Sequence, residues 1–138
     1  MAHMLVNHDR RCQFIHGHNY QLAITVEGNV ITEKGHPQEG MIIDFTTLKE
    51  VVKPVVDQLD HSIVVSGEEP QGIIDNSGRM VDIGVRTTVE NIALWLFKKI
   101  NPEIQALGST PLYAGLKLHS IEMWETLSSK VTVTSDDL

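Results

Sequence analysis

The chain is poor in cysteine, with Cys12 alone among 138 residues. An intramolecular disulfide and a four-cysteine zinc site are both excluded, and a reducing, cytoplasmic setting is the expectation. Positive charge is scarce too. Eleven Lys and Arg stand against eighteen Asp and Glu, a net charge of −7, which disfavours nucleic acid or an anionic membrane as the main partner. Any anionic ligand then needs a local cationic site. No apolar run reaches the length that spans a bilayer, and the start lacks the basic-then-apolar layout of a signal peptide. Internal repeats and low-complexity tracts are also missing. What is present is an ordinary globular composition, 41% hydrophobic and 21% charged, which is enough for one domain, 1–138, with a real core. Seven histidines accompany the one cysteine; His8, His16 and His18 lie within six residues of it, and His3 is just upstream. This crowding is the first functional lead.

Tyr20 to Val30 alternates, with Leu22, Ile24 and Val26 on one face and Gln21, Thr25, Glu27 and Asn29 on the other, the pattern of a half-buried strand. Thr32 to Gly40 is a polar, turn-forming loop, and Met41-Ile42-Ile43 reads as a short strand. Asp44 is a suitable N-cap for a helix whose apolar positions, Phe45, Leu48, Val51, Val52, Val55, Val56 and Leu59, form one stripe. Pro54 falls in its middle. Ser62 to Arg86 is expected to be a loop with a minor hairpin. Thr87-x-x-Glu90 has the spacing of a capping box and predicts a second helix, ended by Asn101-Pro102. Leu112 to Thr126 and Lys130 to Thr134 alternate as strands. Two one-sided helices and several strands give an α+β two-layer domain, an antiparallel sheet with both helices on one face. The other face is partly apolar, which implies an oligomer that covers it.

His16 and His18 are separated by one glycine. On an extended chain they project from the same face, whereas a helix would turn them apart. Two imidazoles form a chelating pair; a third from His3 or His8 would give the three-histidine, open-position arrangement of catalytic zinc. An exposed strand edge is the plain alternative. Cys12 follows Arg10-Arg11, and neighbouring positive charge favours the thiolate, so Cys12 is a candidate base or nucleophile, with a small buried hydrophobe or a metal ligand as the alternatives. Asp60-His61 closes the first helix, and a carboxylate beside an imidazole sets its tautomer and raises its basicity. A simple helix-end histidine is the alternative there. Glu125 offers two side-by-side acceptors, a match for adjacent N–H donors of a guanidine-like or aminopyrimidinone edge, and otherwise reads as a surface carboxylate.

Taken together, Ala2-His3, the Cys12-x3-His16-Gly17-His18 run, Gly40-Met-Ile-Ile-Asp44-Phe45, Leu59-Asp60-His61, Thr88-Val89-Glu90-Asn91 and Trp124-Glu125-Thr126 resemble the 6-pyruvoyltetrahydropterin synthase and 6-carboxytetrahydropterin synthase family. The blocks follow the family's order across almost the whole chain. The short gap between the cysteine and the histidine pair is similar to the carboxy-forming branch of the queuosine pathway. The resemblance implies His3, His16 and His18 as zinc ligands, with His8 set aside. It implies Cys12, Asp60 and His61 as the catalytic trio, Glu125 as the anchor of the pterin ring, and Thr88 as a lining residue contributed by a neighbouring subunit. It further implies the tunnelling fold, assembled through a trimeric barrel into a trimer or hexamer, and a pterin triphosphate as substrate, with no nucleic acid or membrane partner.

The expected reaction converts 7,8-dihydroneopterin triphosphate to 6-carboxytetrahydropterin, acetaldehyde and triphosphate. Zinc would act as a Lewis acid, while Cys12 and an Asp60-oriented His61 move protons. Arg10 and Arg11 would offset substrate charge. A pyruvoyl-forming enzyme and a non-catalytic zinc-binding relative are the rival expectations. Two departures stand out. The strand that family members carry before Ala-His is missing, which would leave His3 on a frayed terminus, and Met1-Ala2-His3-Met4 has the form of a cloning scar. Thr87 also stands where many bacterial members have proline.

Overall fold

In the computed structural model, residues 1–67 and 79–138 are described. Three short strands open the chain: β1 (Ala2–His3), β2 (His16–Gly17) and β3 (Gln21–Glu27). Helix α1 (Phe45–Leu59), strands β4 (Ile63–Val65) and β5 (Met80–Asp82), and helix α2 (Val89–Gly108) follow. Strands β6 (Lys117–Thr126) and β7 (Ser129–Thr134) close the fold, with single 3-10 turns at Arg11–Gln13 and Ser135–Asp137.

The strands form two sheets. An antiparallel sheet runs in the order β3-β6-β7, and a mixed one in the order β2-β1-β4-β5. The core lies between the antiparallel sheet and the helices. Ile92, Leu96, Phe97, Ile100 and Ile104 form the buried stripe of α2, facing Ile121 and Met123 of β6 and Val133 of β7. Leu48, Val52, Val55 and Leu59 of α1 complete it. The α+β reading with two helices against a sheet is therefore the observed architecture.

Several expectations are corrected. No strand forms over Met41-Ile42-Ile43; the Met41 carbonyl accepts one bond from the Ile31 amide, and Ile43 turns into the core. Asp44 starts α1 at once, its Oδ1 accepting from the Thr46 amide at 2.6 Å, which leaves no room for a ladder. In the 62–86 stretch, β4 and β5 pair in parallel, and parallel neighbours require a crossover rather than a hairpin turn; Pro70, Gly72 and Asn76-Ser77-Gly78 lie outside the described residues. The second helix does not stop at Asn101-Pro102. Pro102 is accommodated inside α2, and the helix continues because Ile104 is fully buried in the core. At its end, a Cβ on Gly108 would come 2.3 Å from the Leu116 carbonyl oxygen, so only glycine permits that approach. Thr87 is not the N-cap either: Thr88 takes that place, accepting from the Asn91 amide at 3.4 Å.

The most consequential correction concerns the N-terminus. β1 is not frayed but is held between β2 and β4, with the Ala2 amide donating to the Ser62 carbonyl at 2.9 Å. His3 is only 2% exposed.

Candidate metal centre and active site

The β1–β2 ladder places His3 directly opposite His16. His18 lies two residues on, along the extended segment that leads into β3, so alternation keeps it on the His16 side. The rings of His3 and His16 are 4.6 Å apart, those of His16 and His18 5.1 Å, and those of His3 and His18 5.8 Å, centroid to centroid. One nitrogen from each of the three lies within 4.8 Å of the others.

Two of these rings are aimed by backbone carbonyls. His3 Nδ1 donates to the Thr87 carbonyl at 2.6 Å and His16 Nδ1 to the Phe14 carbonyl at 2.7 Å. With Nδ1 holding the proton, each Nε2 keeps its lone pair for a metal, the outer-shell arrangement that fixes a ligating imidazole. Burial holds the His3 imidazole below the usual histidine range, against the opposing pull of the Thr87 carbonyl and, more weakly, of Glu125. Neutral imidazole is the form that binds a metal ion, so the donor set fits zinc. His8 stands apart, its Nδ1 accepting from the Arg10 amide at 3.1 Å.

A carboxylate and a phenol adjoin the cluster. β6 carries two bulges, one at His119 and one at Glu125, where the register skips a residue on the longer strand. Bulges re-aim side chains beside functional sites. Glu125 Oε1 lies 3.6 Å from His3 Nε2 and 3.8 Å from His18 Nε2. Tyr20 donates its hydroxyl to the same Oε1 at 3.1 Å, sits 3.2 Å from His3 Nε2, and packs edge-on against His3 and His18. Burial, then the Glu125 charge, pushes the Tyr20 phenol far above its ordinary range, so it stays a proton donor.

The other expected site residues are not gathered in the same way. Cys12 sits half-buried in the 3-10 turn, its carbonyl accepting from the Leu5 amide at 2.7 Å, in a hollow lined by His8, Asp9, Arg10 and Arg11. Asp60 is the C-cap of α1 and lines a separate hollow of about 330 Å³ with His18, Tyr20 and Met123. His61 follows in the left-handed conformation (φ 52°), 90% exposed, its Nε2 3.9 Å from Asp60 Oδ2. Among the described residues no hydrogen bond or ion pair joins Cys12 to Asp60 or His61. Thr88 caps α2, next to the Thr87 carbonyl that orients His3.

Residues 1–136 match the family model for 6-pyruvoyl tetrahydropterin synthase. The chain belongs to that family. A 6-carboxy-5,6,7,8-tetrahydropterin synthase of Haemophilus influenzae is 32% identical over 136 residues, 94% of this chain and 88% of that one. A putative 6-carboxy-5,6,7,8-tetrahydropterin synthase of Pyrococcus horikoshii is 40% identical over 148 residues, 96% of this chain and 83% of the other. Among solved structures, 6-pyruvoyl tetrahydropterin synthase from Plasmodium vivax superposes with a TM-score of 0.69 at 26% identity, covering 96% of this chain and 87% of that one.

Within this 6-pyruvoyl tetrahydropterin synthase family chain, motif reading missed Tyr20 and the two orienting carbonyls. Tyr20 had a signal: it continues the His16, His18 alternation by two more residues. The carbonyls of Phe14 and Thr87 had none, because a backbone acceptor leaves no mark on side-chain identity.

Proposed function

We propose that this protein is a zinc-dependent 6-carboxy-5,6,7,8-tetrahydropterin synthase. It converts 7,8-dihydroneopterin triphosphate and water to 6-carboxytetrahydropterin, acetaldehyde and triphosphate, a cytoplasmic step of queuosine biosynthesis. The observation that carries this reading is the convergence of His3, His16 and His18, in a chain whose sequence sets Cys12 before them in Cys-x3-His-Gly-His spacing. The names of the bacterial and archaeal relatives support the carboxy-forming outcome.

His3, His16 and His18 would hold the zinc, which would supply Lewis-acid polarisation of the substrate's side-chain oxygens. The rest is the work of the chain. Glu125 borders a hollow of about 380 Å³ lined by Asn19, Gln21, Trp124, Thr126 and Leu127, a size suited to a small bicyclic ligand, and its carboxylate accepts from the N–H edge of the pterin. Arg10 and Arg11 flank Cys12 and offset the triphosphate, answering the acidity of the chain as a whole. The Cys12 thiolate takes a proton from the substrate side chain, triphosphate leaves, and His61, oriented by Asp60, returns protons as the side chain breaks and acetaldehyde departs.

Among the described residues no hydrogen bond or ion pair joins Cys12 to His61, and in this reading the catalytic trio is completed by a second copy, with Thr88 entering the pterin pocket of its neighbour. β3 and β7 are the outer strands of the antiparallel sheet, and open edges of this kind pair with another chain. This supports a homo-oligomer, for which the family resemblance suggests a trimer or hexamer.

The test is incubation of zinc-loaded protein with 7,8-dihydroneopterin triphosphate, assaying acetaldehyde and the pterin product together. Equimolar acetaldehyde and 6-carboxytetrahydropterin are expected. A 6-pyruvoyl product without acetaldehyde would assign the pyruvoyl reaction instead, and no product would leave a non-catalytic relative.

A further inference from the structure

Glu125 poses a problem for a catalytic metal site. In tetrahedral zinc sites with bonds of about 2.0–2.1 Å, neighbouring ligand atoms stand roughly 3.3 Å apart. Glu125 Oε1 is 3.6 Å from His3 Nε2 and 3.8 Å from His18 Nε2, near the ligand–ligand spacing a fourth ligand would have to those two imidazoles. A carboxylate is a competent zinc ligand. If it bound, the open position would be filled and the pterin would lose its acceptor.

Something must hold the carboxylate back, and the only side chain of the described residues that hydrogen-bonds it is Tyr20, at 3.1 Å from Oε1. The phenol has one proton and two neighbours that accept it, Glu125 Oε1 and, at 3.2 Å, His3 Nε2. His3 Nδ1 already donates to the Thr87 carbonyl, so Nε2 is an acceptor until a metal takes its lone pair. Metal loading therefore leaves Glu125 as the sole acceptor for the Tyr20 proton. The phenol is itself fixed, its ring edge-on to His3 and His18 and its residue directly preceding the Gln21–Trp124 pair of the β3–β6 ladder, opposite the Glu125 bulge.

We infer that Tyr20 is a positioning residue: its hydroxyl holds the Glu125 carboxylate beside the three-histidine metal site and off the metal, keeping the fourth position open and the carboxylate free for substrate. This rests on the metal-site reading above. It adds a residue to which that reading gives no role.

The test uses the cobalt(II)-loaded protein, with thiocyanate as a probe of the open position, read through the visible d–d absorption. The wild type should show a cobalt band that titrates with thiocyanate. Tyr20→Phe keeps the ring but frees Glu125 to occupy the metal, and should weaken thiocyanate binding about tenfold, the scale of one hydrogen bond to a charged group. Adding Glu125→Gln to that variant should restore wild-type affinity, a rescue that mere loosening of the fold would not give. Glu125→Gln alone should stay close to wild type and does not depend on how the Tyr20 variant folds. Unchanged affinity in Tyr20→Phe, failure of the double variant to recover, or a marked tightening in Glu125→Gln alone would overturn the role of Tyr20 while leaving the metal site standing. A wild type that shows no cobalt band abolished by His16→Ala would overturn the metal reading itself, and this inference with it.

Discussion

The two histidine-bearing regions of this chain are built in opposite ways. Around His3, His16 and His18, the ladder of β1 and β2, the carbonyls of Thr87 and Phe14, and the Tyr20–Glu125 pair fix the imidazoles before any ligand arrives. At the end of α1, His61 is 90% exposed, sits in a backbone conformation that L-residues avoid, and has its Nε2 3.9 Å from Asp60 Oδ2. The first region is preorganised within one chain, as a metal site requires. The second is an exposed side chain placed at local backbone cost. The difference teaches which imidazoles the described fold itself holds by packing and hydrogen bonds.

The largest separation of the two regions should appear in metal content and turnover. His16→Ala should abolish zinc retention and turnover together, whereas Cys12→Ala should abolish turnover with zinc content unchanged by elemental analysis. Loss of zinc from Cys12→Ala would move the cysteine into the metal half.

Next in size are stability effects of opposite sign. His3→Ala leaves the Thr87 carbonyl without its buried donor, so chemical denaturation of the metal-free protein should show a loss of about 1–3 kcal/mol. His61→Gly relieves a left-handed non-glycine residue and should raise stability, by up to about 1 kcal/mol, while removing turnover. A His61→Gly variant less stable than wild type would mean that His61 is packed after all.

The smallest effect concerns the start of α1, the helix that presents Asp60 and His61. Hydrogen bonds from the Thr46 backbone and side chain hold the Asp44 carboxyl below the ordinary carboxylate range. A depressed carboxylate contributes stability above its unfolded pKa, and that contribution fades as pH falls through the folded value. Asp44→Ala should therefore lower the melting temperature modestly at neutral pH, and the gap to wild type should close below about pH 3.8. A gap that persists in acid would remove the cap from the account.

Much of this contrast was legible in the sequence because it rests on short-range periodicity. The His16, His18 pair reads as chelating only on an extended chain, and the chain there is extended. Asp44 and the α1 stripe likewise predict the observed helix. What escaped was tertiary. Pro102 signals a helix end, yet full burial of Ile104 carries α2 past it. The 62–86 stretch hides a parallel pair because β4 and β5 are three residues each, too short for a pattern. Glu125 reads as a surface carboxylate until a bulge turns it towards His3, and Thr87 reads as a cap until its carbonyl is seen to accept from a residue 84 positions away.

The central claim, a metal half complete in each chain and a proton-transfer half completed between chains, is tested most directly by mixing. Cys12→Ala and His61→Ala chains, each inactive and zinc-loaded, are unfolded together, refolded with zinc and assayed for acetaldehyde release from 7,8-dihydroneopterin triphosphate. The account predicts partial recovery of turnover, because some assembled sites then pair an intact Cys12 from one chain with an intact His61 from another. Folded, zinc-loaded mixtures that stay inactive, when wild type treated identically recovers, would contradict it.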